Sequence, residues 1–154
     1  MPAAPLNEAE VAAILAQPMR IAGTVQWTQK SHLAYLEAQL PAAHPRADAR
    51  LSLRITVNAR AREKYSVTLL LNGLRIRGLD VGGSHENRHT DRNCWHGQPH
   101  EHRWTDRCHD AWACAVDEPA SLEAAVRDFC GRAGITFAAT WRDLPGRQLD
   151  LEDL

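Results

Sequence analysis

The 154-residue chain has no run near the ~18 consecutive apolar residues that a membrane-spanning helix needs. Met1–Asn7 also lacks the charged-then-apolar layout of a secretory signal. Both absences predict a cytoplasmic protein without a membrane partner. Net charge is scarce as well: 18 basic and 19 acidic side chains leave −1, so there is no global pull toward a polyanion and any such site must be local. The four cysteines, Cys94, Cys108, Cys114 and Cys130, contain no CxxC pair, and a chain of this size needs no disulfide framework, which predicts reduced thiols. Lysine occurs only at Lys30 and Lys64, so nearly all the cationic groups are guanidiniums, whose forked geometry suits phosphate. Hydrophobic residues at 44% and charged residues at 24% match ordinary globular proteins and exclude disorder, coiled coil and collagen.

The patterning predicts one α+β domain over residues 1–148, a mostly antiparallel sheet packed by one or two helices, followed by an acidic tail at 149–154. Asn7 with Glu10 three residues later is an N-cap signature, and Val11, Ile14 and Leu15 recur at helical spacing until Pro18. Ile21–Thr28 and His32–Leu40 read as strands and Pro41–Arg50 as a loop. From Leu51 to Val57 apolar and polar residues alternate strictly, as in a half-buried strand. Tyr65–Leu71 and Leu74–Asp80 follow, joined by Asn72-Gly73, the favoured dipeptide of a two-residue hairpin. His100–Thr105, Trp112–Val116 and Ile135–Ala139 are further strands, and Leu122, Val126, Phe129 and Cys130 mark a helix ending at Gly131. Cys114 and Cys130 read as small core residues, and Trp95, Trp104 and Trp112 as packing aromatics.

Two segments carry chemistry. Arg54, Arg60, Arg62, Lys64, Arg75 and Arg77 stand against Glu63 alone, a positive stretch that is either a solvated sheet face or a phosphate-binding surface. Six of the eight histidines lie between His85 and His109. In Pro99-His100-Glu101-His102 the two imidazoles are two residues apart, so on a strand they share a face. Three readings are open: acid–base cleavage of RNA without metal, zinc held by ligands drawn from Cys94, His96, Cys108 and His109 together with His100 and His102, or polar surface without a reaction. The letters of His85-Glu86-Asn87-Arg88-His89 overlap the His-Asn-His nucleases, but the strand–helix context those enzymes need is absent.

The order Arg62-Glu63-Lys64-Tyr65-Ser66, a hairpin leading to Leu79-Asp80, His85 with Asn87, Pro99-His100-Glu101-His102 and an amphipathic helix resembles the TumE-type toxins and related small bacterial proteins over roughly Arg62 to Gly134. Ser84 stands where that pattern has proline. The resemblance implies a toxin of a toxin–antitoxin or phage-conflict locus, acting on RNA and partnered by a cognate antitoxin. On that reading it is a metal-independent ribonuclease: His100 and His102 transfer protons, His85 and Asp80 position or tune them, and Arg62, Lys64, Tyr65, Arg75 and Arg77 hold the substrate. The alternative is a non-catalytic mobile-element or phage inhibitor that uses the basic hairpin to bind a nucleoprotein or enzyme.

Overall fold

A computed structural model describes residues 6–29, 34–46, 48–82, 84–86, 94–96 and 98–146, with the backbone alone at 84–86 and 94–96. Along the chain run α1 (Glu8–Leu15), β1 (Met19–Ile21), β2 (Thr28–Gln29), β3 (Tyr35–Ala43), β4 (Leu51–Asn58), β5 (Tyr65–Leu71) and β6 (Leu74–Val81). There follow β7 (Ser84–Glu86), β8 (Cys94–His96), β9 (His100–Arg103), β10 (Ala113–Ala115), α2 (Leu122–Ala133) and β11 (Ile135–Phe137). Nine strands form one sheet in the order β10-β9-β6-β5-β4-β3-β1-β11, with β2 also on β3, and β7 and β8 form a separate two-stranded ribbon. The sheet is mostly antiparallel, and β1 runs parallel to β11. The molecule is thus α+β, as expected. No helix among the described residues is long and apolar enough to cross a membrane.

The strict alternation in β4 is realised as drawn from sequence: Leu51, Leu53, Ile55 and Val57 are buried while their neighbours are half-exposed. Val67, Leu69 and Leu71 of β5 and Leu79 and Val81 of β6 join them. Val11 and Ile14 of α1, and Ala125, Val126, Phe129, Cys130 and Ala133 of α2, complete the same cluster. Burying each large side chain contributes about 1.5–3 kcal/mol, so this one layer dominates the stability of the sheet. Asn72 at φ 50 and Gly73 at φ 84 form the tight turn between β5 and β6, since both positions demand a left-handed backbone.

Four boundaries differ from expectation. Gly131 lies inside α2, which continues to Ala133 and ends at Gly134, a left-handed cap with φ 74 whose amide reaches the Cys130 and Gly131 carbonyls. Pro41 lies within β3 rather than in a loop. It falls between the points where β2 and β1 pair with β3, at Leu36–Glu37 and Ala42–Ala43, so its missing amide can face an edge without a partner. The expected strand at Ile21–Thr28 resolves into β1 and β2, because Gly23 at φ 93 breaks the extended run. Within His85–His109, β7 and β8 form where a loop was expected. The acidic tail at 149–154 and His89 lie outside the described residues.

The helix end gives a pair of opposite expectations. A methyl group at Gly131 meets nothing within 4 Å, so Gly131→Ala should stabilise the protein by about 0.5–1 kcal/mol. Gly134→Ala forces a left-handed alanine and should cost about 1–2 kcal/mol. Urea unfolding midpoints at unchanged slope measure both.

Candidate active site

Register brings the site residues together. In the β5–β6 and β6–β9 ladders Ser66 lies opposite Asp80 and Asp80 opposite His100, while Thr56 on β4 lies opposite Ser66. Directly paired residues share a face, so Thr56, Ser66, Asp80, His100 and, two residues on, His102 form a polar row across four strands. Leu79 lies opposite Glu101, which puts Glu101 on the other face, toward α2.

The row is tightly connected. Ser66 Oγ donates to Asp80 Oδ1 at 2.6 Å. His102 Nε2 lies 2.9 Å and His100 Nε2 3.5 Å from the other oxygen, Oδ2. Each imidazole also places Nδ1 on a backbone carbonyl: His100 on Gln98 at 3.0 Å and His102 on Asp110 at 2.9 Å. Both rings are buried, with centroids 5.2 Å apart. Burial works against the charged form of Asp80, but its contacts with His100, His102 and Ser66 outweigh it and hold the carboxyl far below the usual range. Burial likewise disfavours the His100 imidazolium, and Asp80 and the Gln98 carbonyl overcome it, so His100 titrates above an ordinary histidine. The nearest ligand atoms of Asp80, His100 and His102 all lie within 4.8 Å of one another, a set able to hold a metal ion.

Arg75 joins this row because of a bulge. Counting by twos from Arg77 would keep Arg75 on the α2 face, but the register shifts between Leu69 and Leu70. The Arg75 Nη1 therefore lies 3.9 Å from Asp80, and its Nε and Nη2 donate to the Asp110 carboxylate and carbonyl at 3.0 and 3.3 Å. Gly78 leaves room for the crossing side chain, since a methyl group there would stand 3.0 Å from Arg75 Cδ. Beside Asp80 opens a cavity of ≈ 200 Å3 lined by Tyr35, Thr56, Asn58, Lys64, Tyr65, Ser66 and Gly82 as well as Asp80. Burial, reinforced by Glu118, pushes Tyr65 up to about 12, so its phenol is neutral.

Of the residues singled out from sequence, the fold gathers Asp80, His100, His102, Arg75, Lys64 and Tyr65 at or beside one cavity. Arg62 is half-buried near the start of β5 and is not among the cavity-lining residues. Arg77 lies on the other face, so the run of cations is not one surface: Arg77 pairs with Glu101, and Arg54 with Glu37 at 3.8 Å. The side chains of His85, Cys94 and His96 are outside the described residues, so of Cys94, His96, Cys108 and His109 only the last two have described side chains. Of these two, His109 stacks flat on Trp104 at 5.0 Å. Cys130 is core, with burial raising its thiol to about 12, whereas Cys114 is half-buried with its thiol 3.8 Å from the Glu101 carbonyl. Ser66, Asp110 and the Gln98 carbonyl were missed. Ser66 had a usable signal in its place beside Lys64 and Tyr65, whereas the two carbonyl partners depend on loop conformation.

On the α2 face, fully buried Glu101 accepts from Arg77 at 3.0 Å, Arg103 at 3.1 Å and Arg132 of α2 at 2.9 Å. Burial opposes its charge, and Arg132 and Arg77 more than offset that, keeping the carboxyl below its usual range. No protein-family model, curated protein or solved structure matches the chain.

Removing this carboxylate leaves three guanidiniums facing one another. Glu101→Gln should therefore cost about 3–5 kcal/mol of unfolding free energy, as for a broken buried ion pair. Chemical denaturation measures the loss, and a change below about 1 kcal/mol would mean that the arginines already turn to solvent.

Proposed function

We propose that the protein is a toxin-like enzyme acting on RNA, with Asp80, His100 and His102 as its reaction centre. The observation that carries this reading is the convergence of two buried imidazoles on a carboxylate, Asp80, that lines a cavity shared with an ammonium group and a neutral phenol. Cleavage of RNA through its own 2′-hydroxyl needs that oxygen to lose a proton as it bonds to phosphorus, and the departing 5′-oxygen to gain one. Histidines beside a carboxylate supply groups that hold and release protons near neutrality. Lys64 in the cavity and Arg75 beside Asp80 offset phosphate charge, and Asn58, Thr56 and Ser66 line the same wall with hydrogen-bonding groups.

The resemblance to TumE-type toxins, carried by Lys64-Tyr65-Ser66, Asp80 and Pro99-His100-Glu101-His102, points the same way and suggests an antitoxin partner in the cytoplasm. The alternative of a binding protein working through the basic hairpin is less well supported, because Arg75 and Arg77 lie on opposite faces of the sheet, paired with Asp110 and Glu101, and do not form one basic surface.

Purified protein should cleave single-stranded RNA to fragments ending in 2′,3′-cyclic phosphate. His102→Ala should slow this by about 10²–10⁴-fold, with circular dichroism confirming an intact fold. Lys64→Ala should mainly raise KM. Intact RNA after prolonged incubation with wild-type protein would sink the reading.

A further inference from the structure

The two imidazoles are oriented in a way that proton transfer alone does not require. A carbonyl oxygen only accepts, so the contacts of His100 Nδ1 with Gln98 and His102 Nδ1 with Asp110 place a hydrogen on each Nδ1. In a neutral ring that leaves the lone pair on Nε2, and both Nε2 atoms are directed at the same carboxylate oxygen, at 3.5 and 2.9 Å. Two lone pairs facing a carboxylate repel unless positive charge lies between them. Protonating both rings supplies it, but crowds two buried imidazoliums with centroids 5.2 Å apart against Asp80, with the Arg75 guanidinium, itself paired with Asp110, 3.9 Å from the same carboxylate.

A single divalent ion does the same with both rings neutral. Two ligand atoms each about 2.1 Å from one ion stand about 3.0 Å apart at a right angle and about 3.4 Å apart at the tetrahedral angle, close to the two nitrogen–oxygen distances here. The outer contacts are also those of a metal site, where ligating histidines give their other N–H to a carbonyl and ligating carboxylates are themselves hydrogen-bonded. Gln98 and Asp110 supply the first, and Ser66, donating to Asp80 Oδ1 at 2.6 Å, supplies the second and leaves Oδ2 directed at the rings.

From this arrangement we infer a metal site in which His100 Nε2, His102 Nε2 and Asp80 Oδ2 bind one first-row divalent transition ion, Zn2+ being the best match. Two imidazoles disfavour Mg2+ and Ca2+, which take oxygen ligands. Three protein ligands leave a coordination position for water or substrate, and Asp80 lies on the cavity wall. A bound ion there would polarise a phosphate oxygen or lower the pKa of a water, and with both nitrogens of each ring engaged it would take the place of proton transfer by the imidazoles. As the cofactor of RNA cleavage this inference rests on the proposed function; as a binding site it rests on the ligand geometry.

The test is calorimetric titration of the chelator-treated, dialysed full chain with ZnCl2, repeated with CoCl2 to record the visible spectrum. The expected result is saturable one-to-one binding, with cobalt bands lacking a thiolate charge-transfer feature. His100→Ala, His102→Ala and Asp80→Asn should each abolish or severely weaken binding. Ser66→Ala, which keeps all three ligands, should weaken it roughly 10–100-fold, and Cys108→Ser and His109→Ala should leave it unchanged. Absence of saturable binding by folded wild-type protein, a thiolate band, or full binding by a folded His100→Ala/His102→Ala double variant overturns the site. RNA cleavage undiminished by excess chelator overturns the ion's role as cofactor of that cleavage, whereas stoichiometric zinc with RNA left intact supports the metal site and overturns the ribonuclease reading.

Discussion

With Leu79 opposite Glu101 and Asp80 opposite His100, the antiparallel pairing of β6 with β9 sends carboxylates from neighbouring strands to opposite faces of one sheet. Each then meets a different set of partners. Glu101 goes down against α2 and is neutralised by Arg77, Arg103 and Arg132, so the charge is matched where the helix closes over it. Asp80 goes up and gathers Ser66, His100, His102 and Arg75. A slip of one residue between these strands would exchange the faces, placing the histidines under the helix beside its arginines and Glu101 beside Asp80, with no matched charge on either side. Buried ion pairs cost much when broken, so the register is held by electrostatics as well as by the apolar core.

The two charged clusters differ in what they leave available. Around Glu101 the three guanidiniums converge on one side chain, and the arrangement reads as a structural junction between α2 and the sheet. Around Asp80 the polar row borders a cavity and the ring nitrogens converge on one oxygen. Concave space beside titratable groups with shifted protonation is where binding and catalysis concentrate. The bulge opposite Leu69 and Leu70 adds Arg75 to this side, and Gly78 clears its path.

Much of this was legible in the chain itself. The alternation of Leu51–Val57, the Asn72-Gly73 turn and the stripe of α2 depend on local periodicity and backbone preference, which act over a few residues. His100 and His102 share a face for the same reason, and Asp80 and Lys64 stood out beside them. Beyond the consecutive strands around the Asn72-Gly73 hairpin, what could not be read was which strand lies next to which. The separation of Arg77 from Arg75 needs a bulge that no dipeptide announces, and the roles of Asp110 and Gln98 come through backbone oxygens, which carry no residue identity.

The sequence by itself therefore determined the central strands and the two helices, the buried and polar faces of those strands and the identity of the chemically able side chains, because these follow from spacing along one strand or helix. Only the tertiary structure decided that β9 adds to β6, that β1 runs parallel to β11, and that Glu101 meets Arg77 and Arg132 while His102 meets Asp80. The physical reason is that hydrogen-bonded ladders and charge compensation act between segments distant in the chain, whose meeting depends on the whole fold.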